Sequence, residues 1–478
     1  MTTRVSDSLI RGPGRGSSSR VYGGYLKGKV PPPDMELAAV GRRTPMGEYM
    51  RRYWHPVCLS EELMEVPHAI RILGDDLVAF RDREGRVGVV DQHCSHRGTS
   101  LEYGIIQPRG IRCCYHGWLI DIDGTILETP GEPPDSKIKN TVFHGAYPAF
   151  ERSGLVFAYL GHPDERPAFP EFDCFTIPED NDLVAFSHSY PCNWLQLYEN
   201  NPDHMHTAFL HNGMTVKSVG KAVASGLTVT GFEYLPILDW VETNNGNGMV
   251  YIASRRTDGE HVWVRSSEMV FPNITHHGSL LETGSKFTHT TVSLTRWHVP
   301  VDDQNSFLYG WRHFNSEIDP EGLGDPSACG KESVDFMEGQ SGGRSYAESQ
   351  RAPGDWEAVS NQRRIAVHAM ENPGTTDVGV YMMRRMLSDA VRRDAKPGGR
   401  NTTPGNGTPG IGRATEGEKL STHGYDAVVR APMKPGRDDR EFVKGVGRTV
   451  FDVILARDRQ PSAQRTFWVR EQLSRMSL

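Results

Sequence analysis

No run in this chain approaches the roughly eighteen consecutive apolar residues of a membrane-spanning helix, so no span is expected. A long basic run is missing too: 53 Lys and Arg stand against 60 Asp and Glu, a formal net charge of −7. That balance argues against nucleic acid and against an anionic membrane surface as partners. The N-terminus "MTTRVSDSLIRGPGRGSSSR" is polar and lacks the apolar core of an export signal. Cysteine is scarce, seven in 478 residues, and follows no disulfide-framework spacing. A cytoplasmic location is therefore expected. No G-x-G-x-x-G fingerprint follows a strand-like run, which leaves the chain without a dinucleotide site of its own. No internal repeat is found. What remains is an ordinary globular composition, 37% hydrophobic and 24% charged, long enough for two or three domains.

Residues 1–34 are rich in Gly, Ser and Arg and end in "VPPPD", which reads as a flexible arm. In "TPMGEYMRRYWHPV" Thr44 is placed to cap a short helix. From about 69 to 160, runs such as "LVAFRD", "GRVGVV" and "GLVFAYLG" alternate with turn residues, predicting a small antiparallel β domain. Beyond "HPDERPAFPEFD" the chain mixes helical stretches with long strands, "GMVYIASRR" and "HTTVSLTRWHVPV" among them. This segment is expected to form an α+β second domain. "AKPGGRNTTPGNGTPGIG" is a Gly/Pro loop over 395–412. Residues 438–458 predict a capped amphipathic helix with Val443, Val446, Val450, Val453 and Ile454 on one face.

Against this background one stretch stands out. Residues 93–118, "HCSHRGTSLEYGIIQPRGIRCCYHGW", hold three cysteines and three histidines. Cys94 and His96 form a C-x-H pair, and Cys113 and His116 form a C-x-x-H pair. Thiolates with imidazoles suit zinc or iron. Zinc sites more often pair like with like, whereas here each loop offers one Cys and one His. Two such pairs are what a Rieske [2Fe–2S] centre needs, two Cys on one iron and two His on the other. Cys114 competes with Cys113 and is read as a bystander, as is His93.

A second group lies in "CNWLQLYENNPDHMHTAFLH", residues 192–211, with Glu199, Asp203, His204, His206 and His211. On a regular helix Asp203 and His206 are neighbours. His206 and His211, five apart, stand about 140° from each other, so a straight helix does not converge them on one ion. Helical geometry alone leaves this pair open.

Together the two groups resemble the aromatic-ring-hydroxylating oxygenases, in particular the phthalate dioxygenase-like subgroup. That family's Rieske domain carries C-x-H-R-G then C-x-x-H-G-W, and its iron motif is D-x-x-H-x-x-x-x-H preceded by N-W and a Glu. The resemblance runs over about residues 40–455 and includes "RRYWHPV" and "RWHVPVDD". It implies that Cys94 and Cys113 hold one iron of a [2Fe-2S] cluster and His96 and His116 the other. It implies that His206 and His211 belong to a 2-His-1-carboxylate site for Fe(II). Aligning Glu371, Gly374 and Asp377 with the family's E-x-x-G-x-x-D segment puts Asp355 at the carboxylate position, with Glu357 as the competitor. Asp203 is implied as the bridge that carries an electron from a neighbouring subunit, hence a homotrimer. His204 fits no motif position and is expected to be second to the ligands or on the surface.

The resulting expectation is an α+β protein. An antiparallel β Rieske domain spans 35–170, and a mixed α/β, helix-grip-like catalytic domain spans 171–460. Residues 461–478 are expected as a tail. Its expected function is that of a terminal oxygenase using O2 and electrons from NAD(P)H through a separate reductase or ferredoxin. It would hydroxylate an aromatic compound, an aromatic carboxylate first, by ring hydroxylation or O-demethylation. Arg255, Arg256, Arg265, Arg296 and Arg312 are candidates to clamp that carboxylate. Phe209, Trp240 and Trp311 are read as core before pocket. The rival reading, an electron carrier or redox sensor, requires a degraded second motif.

Overall fold

The computed structural model describes residues 28–211, 234–243, 248–278, 289–319, 324–335, 343–395, 419–456 and 462–476, with Gly24, Phe232 and Gly322 besides. Most of the expected arm and the 395–412 loop lie outside the described residues.

Thr44 caps the helix Pro45–Met50, its hydroxyl accepting from the Gly47 N–H at 3.2 Å. Strands His68–Ile72, Asp75–Arg81, Val87–Asp91 and Ala146–Tyr147 form one antiparallel sheet in that order. The short strands Ile105–Ile106, Ile111–Arg112, Leu119–Ile120 and Ile126–Glu128 form a second. Val78, Phe80, Val90, Ile111 and Ile120 pack between them. This is the small β domain that the alternating runs predict.

The second domain is built on an eight-stranded antiparallel sheet. Its order is Asp182–Tyr190, Ser306–Phe314, Val292–Pro300, Ile274–Gly278, His261–Val270, Gly248–Arg256 and Ile237–Thr243. Tyr425–Arg430 also pairs with His261–Val270. Such long strands carry side chains to two faces, and here both faces are covered. One face takes the helix Asp439–Leu455, whose Val443, Val446, Val450 and Ile454 pack on Val250, Ile252, Val262 and Val264. Val453 is only partly buried in that cluster. The opposite face receives the segment 194–211 and Asp355. The two domains share a core in which Phe157 of the small domain meets Trp297 at 5.5 Å and Trp311 at 5.7 Å between ring centres.

The C-terminal residues differ from the expected tail. Ser462–Arg475 is a helix that buries Val469 and Leu473 in the cluster under Asp439–Leu455. Its Arg465 reaches Asp173 at 3.2 Å, both side chains under a tenth exposed. Asp173 also accepts from the Thr422 hydroxyl at 2.7 Å. Removing one partner of a buried ion pair leaves the other charge uncompensated. Arg465→Ala is therefore expected to cost about 3 kcal/mol in urea denaturation. The double variant Asp173→Asn with Arg465→Met should recover part of that loss.

Candidate active site

Two loops of the small domain bring their Cys/His pairs together by the same local construction. In the first, Gly98 N–H donates to Cys94 O at 2.8 Å and Cys94 N–H to Thr99 O at 2.9 Å. In the second, Gly117 N–H donates to Cys113 O at 3.1 Å and Cys113 N–H to Trp118 O at 2.9 Å. Each loop is closed by a glycine at positive φ, +77° at Gly98 and +73° at Gly117, a conformation that disfavours side chains. Cys94 and Cys113 are buried at the loop bases, while Cys114 is exposed. The His96 and His116 rings lie 4.6 Å apart, and Trp118 stacks on His96 at 4.7 Å and 5°. Arg86 and Arg109 converge below on the buried Asp121 carboxylate. Burial pushes the Cys94 thiol up to about 11, with Cys113 beside it adding to the shift. His96 Nδ1 is buried without a hydrogen-bond partner, the donor-ready state of a ligand nitrogen.

The second group converges through a break in regular helix. The helix Trp194–Glu199, capped by Asn193, ends before Asp203. Thr207–His211 then form a π-helical turn. Wider than an α-turn, it brings residues five apart onto one side, which a straight α-helix does not do. The His206 and His211 rings lie 5.2 Å apart. Helix Asp355–Ser360 begins at the residue that faces them, with Asp355 Oδ1 3.6 Å from His206 Nε2 and Oδ2 3.4 Å from His211 Nε2. One ligand atom from each of the three lies within 4.8 Å of the others. Burial alone would raise the Asp355 carboxyl. The facing His211 and His206, then Asn200 and Arg296, hold it below the usual carboxylate range instead. Its Oδ1 has no hydrogen-bond partner, so the donor set fits a cation. Glu357 points elsewhere, accepting from Arg344 and from the Gly354 N–H at 2.9 Å.

Asp203 is half-buried one turn before His206. Burial raises its carboxyl, and Asp377 adds to this while His206 opposes it. Asp377 itself caps a turn, accepting from Gly374 N–H at 2.6 Å. A second group, Glu199, His368 and Glu371, also brings three ligand-type atoms within 4.8 Å. Arg384 already bonds both of its carboxylates at 2.6–2.8 Å, so those oxygens are used.

Sequence reasoning named Arg255, Arg265 and Arg296 only as carboxylate clamps and left His204 between a place behind the ligands and the surface. It missed Asn201, Tyr251, Ser267 and His277, which join them in a wall behind His206 and His211. His204 is buried, its ring 4.8 Å from that of Tyr251 and tilted by 38°. Arg296 donates to Asn201 Oδ1 at 3.0 Å and meets His277, which bonds Ser267 at 2.9 Å. Of the five arginines proposed as clamps, three are committed inside the protein. Arg256 holds Asp439, Arg265 holds Asp426 and Arg312 holds Asp335. Trp311 is core, whereas Phe209 is exposed. The available signal was arginine and histidine on long strands covered on both sides, an unusual place for either.

The wall histidines are held neutral. Burial, then Arg296, lowers His277 and His298 well below the ordinary value. Burial also lowers His188, and His276 on the opposite face of the sheet, to about 4.

A family model described as the Rieske [2Fe-2S] domain matches residues 53–146. The chain is 49% identical over 438 residues to the tert-butanol monooxygenase / tert-amyl alcohol desaturase oxygenase subunit of Aquincola tertiaricarbonis, covering 91% of each chain. It is 34% identical over 376 residues to the phenoxybenzoate dioxygenase subunit alpha of Ectopseudomonas oleovorans, covering 75% of this chain and 85% of that one. The fold is that of dicamba monooxygenase bound to 3,6-dichlorosalicylic acid, with a TM-score of 0.53 at 17% identity over 73% of this chain and 99% of that one. The chain belongs to the Rieske-type aromatic-ring-hydroxylating oxygenases. It is a terminal oxygenase subunit, which implies a reductase partner. No helix among the described residues is long and apolar enough to cross a membrane.

Neutral buried histidines tie stability to pH with a definite sign. Their folded pKa lies below the unfolded value, so their contribution is complete above about pH 6.5 and is lost as pH falls toward 4. Thermal melts are expected to show Tm lower at pH 5 than at pH 7.5 by roughly five degrees or more.

Proposed function

We propose that Cys94 and Cys113 hold one iron of the [2Fe-2S] cluster and His96 and His116 the other, and that His206, His211 and Asp355 hold a mononuclear Fe(II). The observation that carries this reading is the meeting of two imidazoles and one carboxylate from segments 144 residues apart in sequence (355 − 211), next to a polar wall. Bound there, the cluster would supply electrons singly and the iron would supply open positions for O2 chemistry.

The chain's own residues have the remaining work. Asp355 brings one negative charge to a site otherwise made of neutral rings. Asn201 and His277 hold Arg296 on the wall beside it, where its charge favours the carboxylate form. The buried sheet face keeps bulk water from the reacting atoms. Asp203 would accept a hydrogen bond from a cluster histidine of a neighbouring subunit, which makes the assembly a head-to-tail homotrimer. The exposed setting of the cluster loops supports this, since Tyr103, Tyr115 and Phe143 stand exposed around them. The electrons would come from NAD(P)H through the reductase or a ferredoxin. An electron carrier without oxygenase activity is disfavoured by the three converging donors.

For the substrate we place small tertiary alcohols first and aromatic carboxylates second. The alcohol-acting relative matches over nearly the whole of both chains. Three of the five candidate carboxylate clamps are already paired.

Purified protein with iron, a surrogate reductase and labelled O2 should convert a member of a panel of tertiary alcohols and aromatic acids. One labelled oxygen in the product marks a monooxygenase, two mark a dioxygenase, and formaldehyde release marks a demethylase. A fully metallated protein that consumes no O2 with any of them would sink the oxygenase reading. Cys113→Ser should abolish the cluster's visible absorbance and Cys114→Ser should leave it. Asp355→Ala should keep that absorbance, lose the mononuclear iron and lower turnover by more than about a hundredfold.

A further inference from the structure

Strand Gly248–Arg256 places Tyr251, Ala253 and Arg255 on one face and Ile252 and Ser254 on the other. The second set packs under the helix Asp439–Leu455, where Gly447 sits directly against Ser254. The first set faces the ligand segment: the Tyr251 ring packs tilted against His204, and Arg255 Nη2 donates to Thr207 Oγ1 at 2.7 Å. Thr207 immediately follows His206. Phe232 closes the other side, 6.0 Å from the His211 ring and 5.3 Å from the Arg255 guanidinium.

Arg255 is 0% exposed, yet it has no ion pair among the described residues. Its Nε donates to Tyr234 O at 3.1 Å, and its plane lies over Trp263 at 4.9 Å. Nη1 has no hydrogen-bond partner among the described residues. Asp426, the carboxylate that favours its charge, is bonded by Arg265 at 3.0 Å. Burial pushes the Arg255 guanidinium down to about 9, with Arg265 adding to the shift. His204 Nε2, on the same side, is also buried without a partner. Two unpartnered polar atoms in a dry wall beside the iron ligands are costly unless something else bonds them.

We infer that Arg255 is a specificity-determining residue whose Nη1 donates a hydrogen bond to an oxygen acceptor of the substrate, a hydroxyl or a carboxylate. This rests on the reading above, in which His206, His211 and Asp355 hold the iron, so that the sheet face against which His206 and His211 pack borders the substrate. A site with a donor waiting for an acceptor rejects an isosteric molecule that lacks one, because the donor is then left buried and unpaired. Neutral tertiary alcohols and carboxylates share that acceptor, which joins the two kinds of relative in one recognition chemistry.

The test reads binding rather than turnover. The holoenzyme, kept free of O2, is titrated calorimetrically with tert-amyl alcohol, 2,2-dimethylbutanoate and 2,2-dimethylbutane, three probes of similar shape. At least one oxygenated probe should bind tenfold or more tightly than the hydrocarbon. Arg255→Met should remove that preference while iron content and cluster absorbance stay unchanged. Arg255→Gln keeps a donor without the charge, so it should retain a preference for the alcohol and lose one for the carboxylate. No preference in the wild-type protein, whether from equal binding or from none, overturns the assignment even if neither variant folds. A preference that survives in Arg255→Met overturns it as well. A protein that shows the preference but forms no labelled product would overturn the oxygenase reading and leave the role of Arg255 standing.

Discussion

A dry, polar sheet face governs the rest of this structure. On strands Gly248–Arg256, His261–Val270, Ile274–Gly278 and Val292–Pro300 the side that meets the ligand segment carries Tyr251, Arg255, Arg265, Ser267, His277 and Arg296. Each must be satisfied without bulk water, and an unpaired group there costs more than a bond gained. Most are satisfied sideways, through Ser267 to His277 to Arg296 to Asn201. Because the chain of bonds ends on Asn201, five residues before His206, the wall also ties down the segment that carries the first proposed iron ligand.

The same face explains why the rings are neutral. An imidazole that bonds a hydroxyl on one nitrogen and meets a guanidinium on the other can accept from the second only without its own extra proton. His277, between Ser267 and Arg296, is in that position. Burial and the adjacent arginines act in the same direction. The positive charges of the wall are thus carried by arginine alone, which suits a site whose one carboxylate is Asp355. On the opposite face the sheet is handled differently, with Glu268 set against His423 at 2.7 Å and apolar side chains under a helix.

How much was legible in the sequence follows the range of the contacts. The cluster loops are closed by hydrogen bonds within six residues, Cys94 to Thr99 and Cys113 to Trp118, so their spacing is written locally. The Thr44 cap and the apolar stripe of Asp439–Leu455 are local in the same way. His206 and His211 were harder, because their convergence needs a π-helical turn that residue spacing alone argued against. Asp355 came from a resemblance, since nothing near it in sequence marks a ligand. The burial of His204 and Arg255, and the docking of Ser462–Arg475, depend on which strands and helices meet across nearly fifty residues in the first case and nearly three hundred in the second. No local pattern encodes that.

This division of range has a physical consequence for how the two sites respond to damage. The proposed cluster site draws four donors from two short loops, one following Val87–Asp91 of the first small sheet and one joining Ile111–Arg112 to Leu119–Ile120 of the second, so its geometry depends on the packing of those two sheets alone. The proposed iron site draws its donors from a π-turn with the residue before it and from a helix start, positioned by packing on the large sheet and, for that helix, on Trp194–Glu199, where Gln196 Nε2 donates to Val359 O at 2.9 Å. A π-turn is held by fewer well-formed backbone bonds than an α-helix, so its shape is borrowed from its neighbours: Thr207 between His204 O and Arg255, and Trp240 against Pro202 O at 3.2 Å. Residues outside the proposed ligand set therefore support the turn that holds His206 and His211. Arg255 is one of several groups that hold this turn, and the one whose guanidinium also faces the proposed substrate wall, so losing it leaves the turn its other bonds while it changes what is admitted beside it.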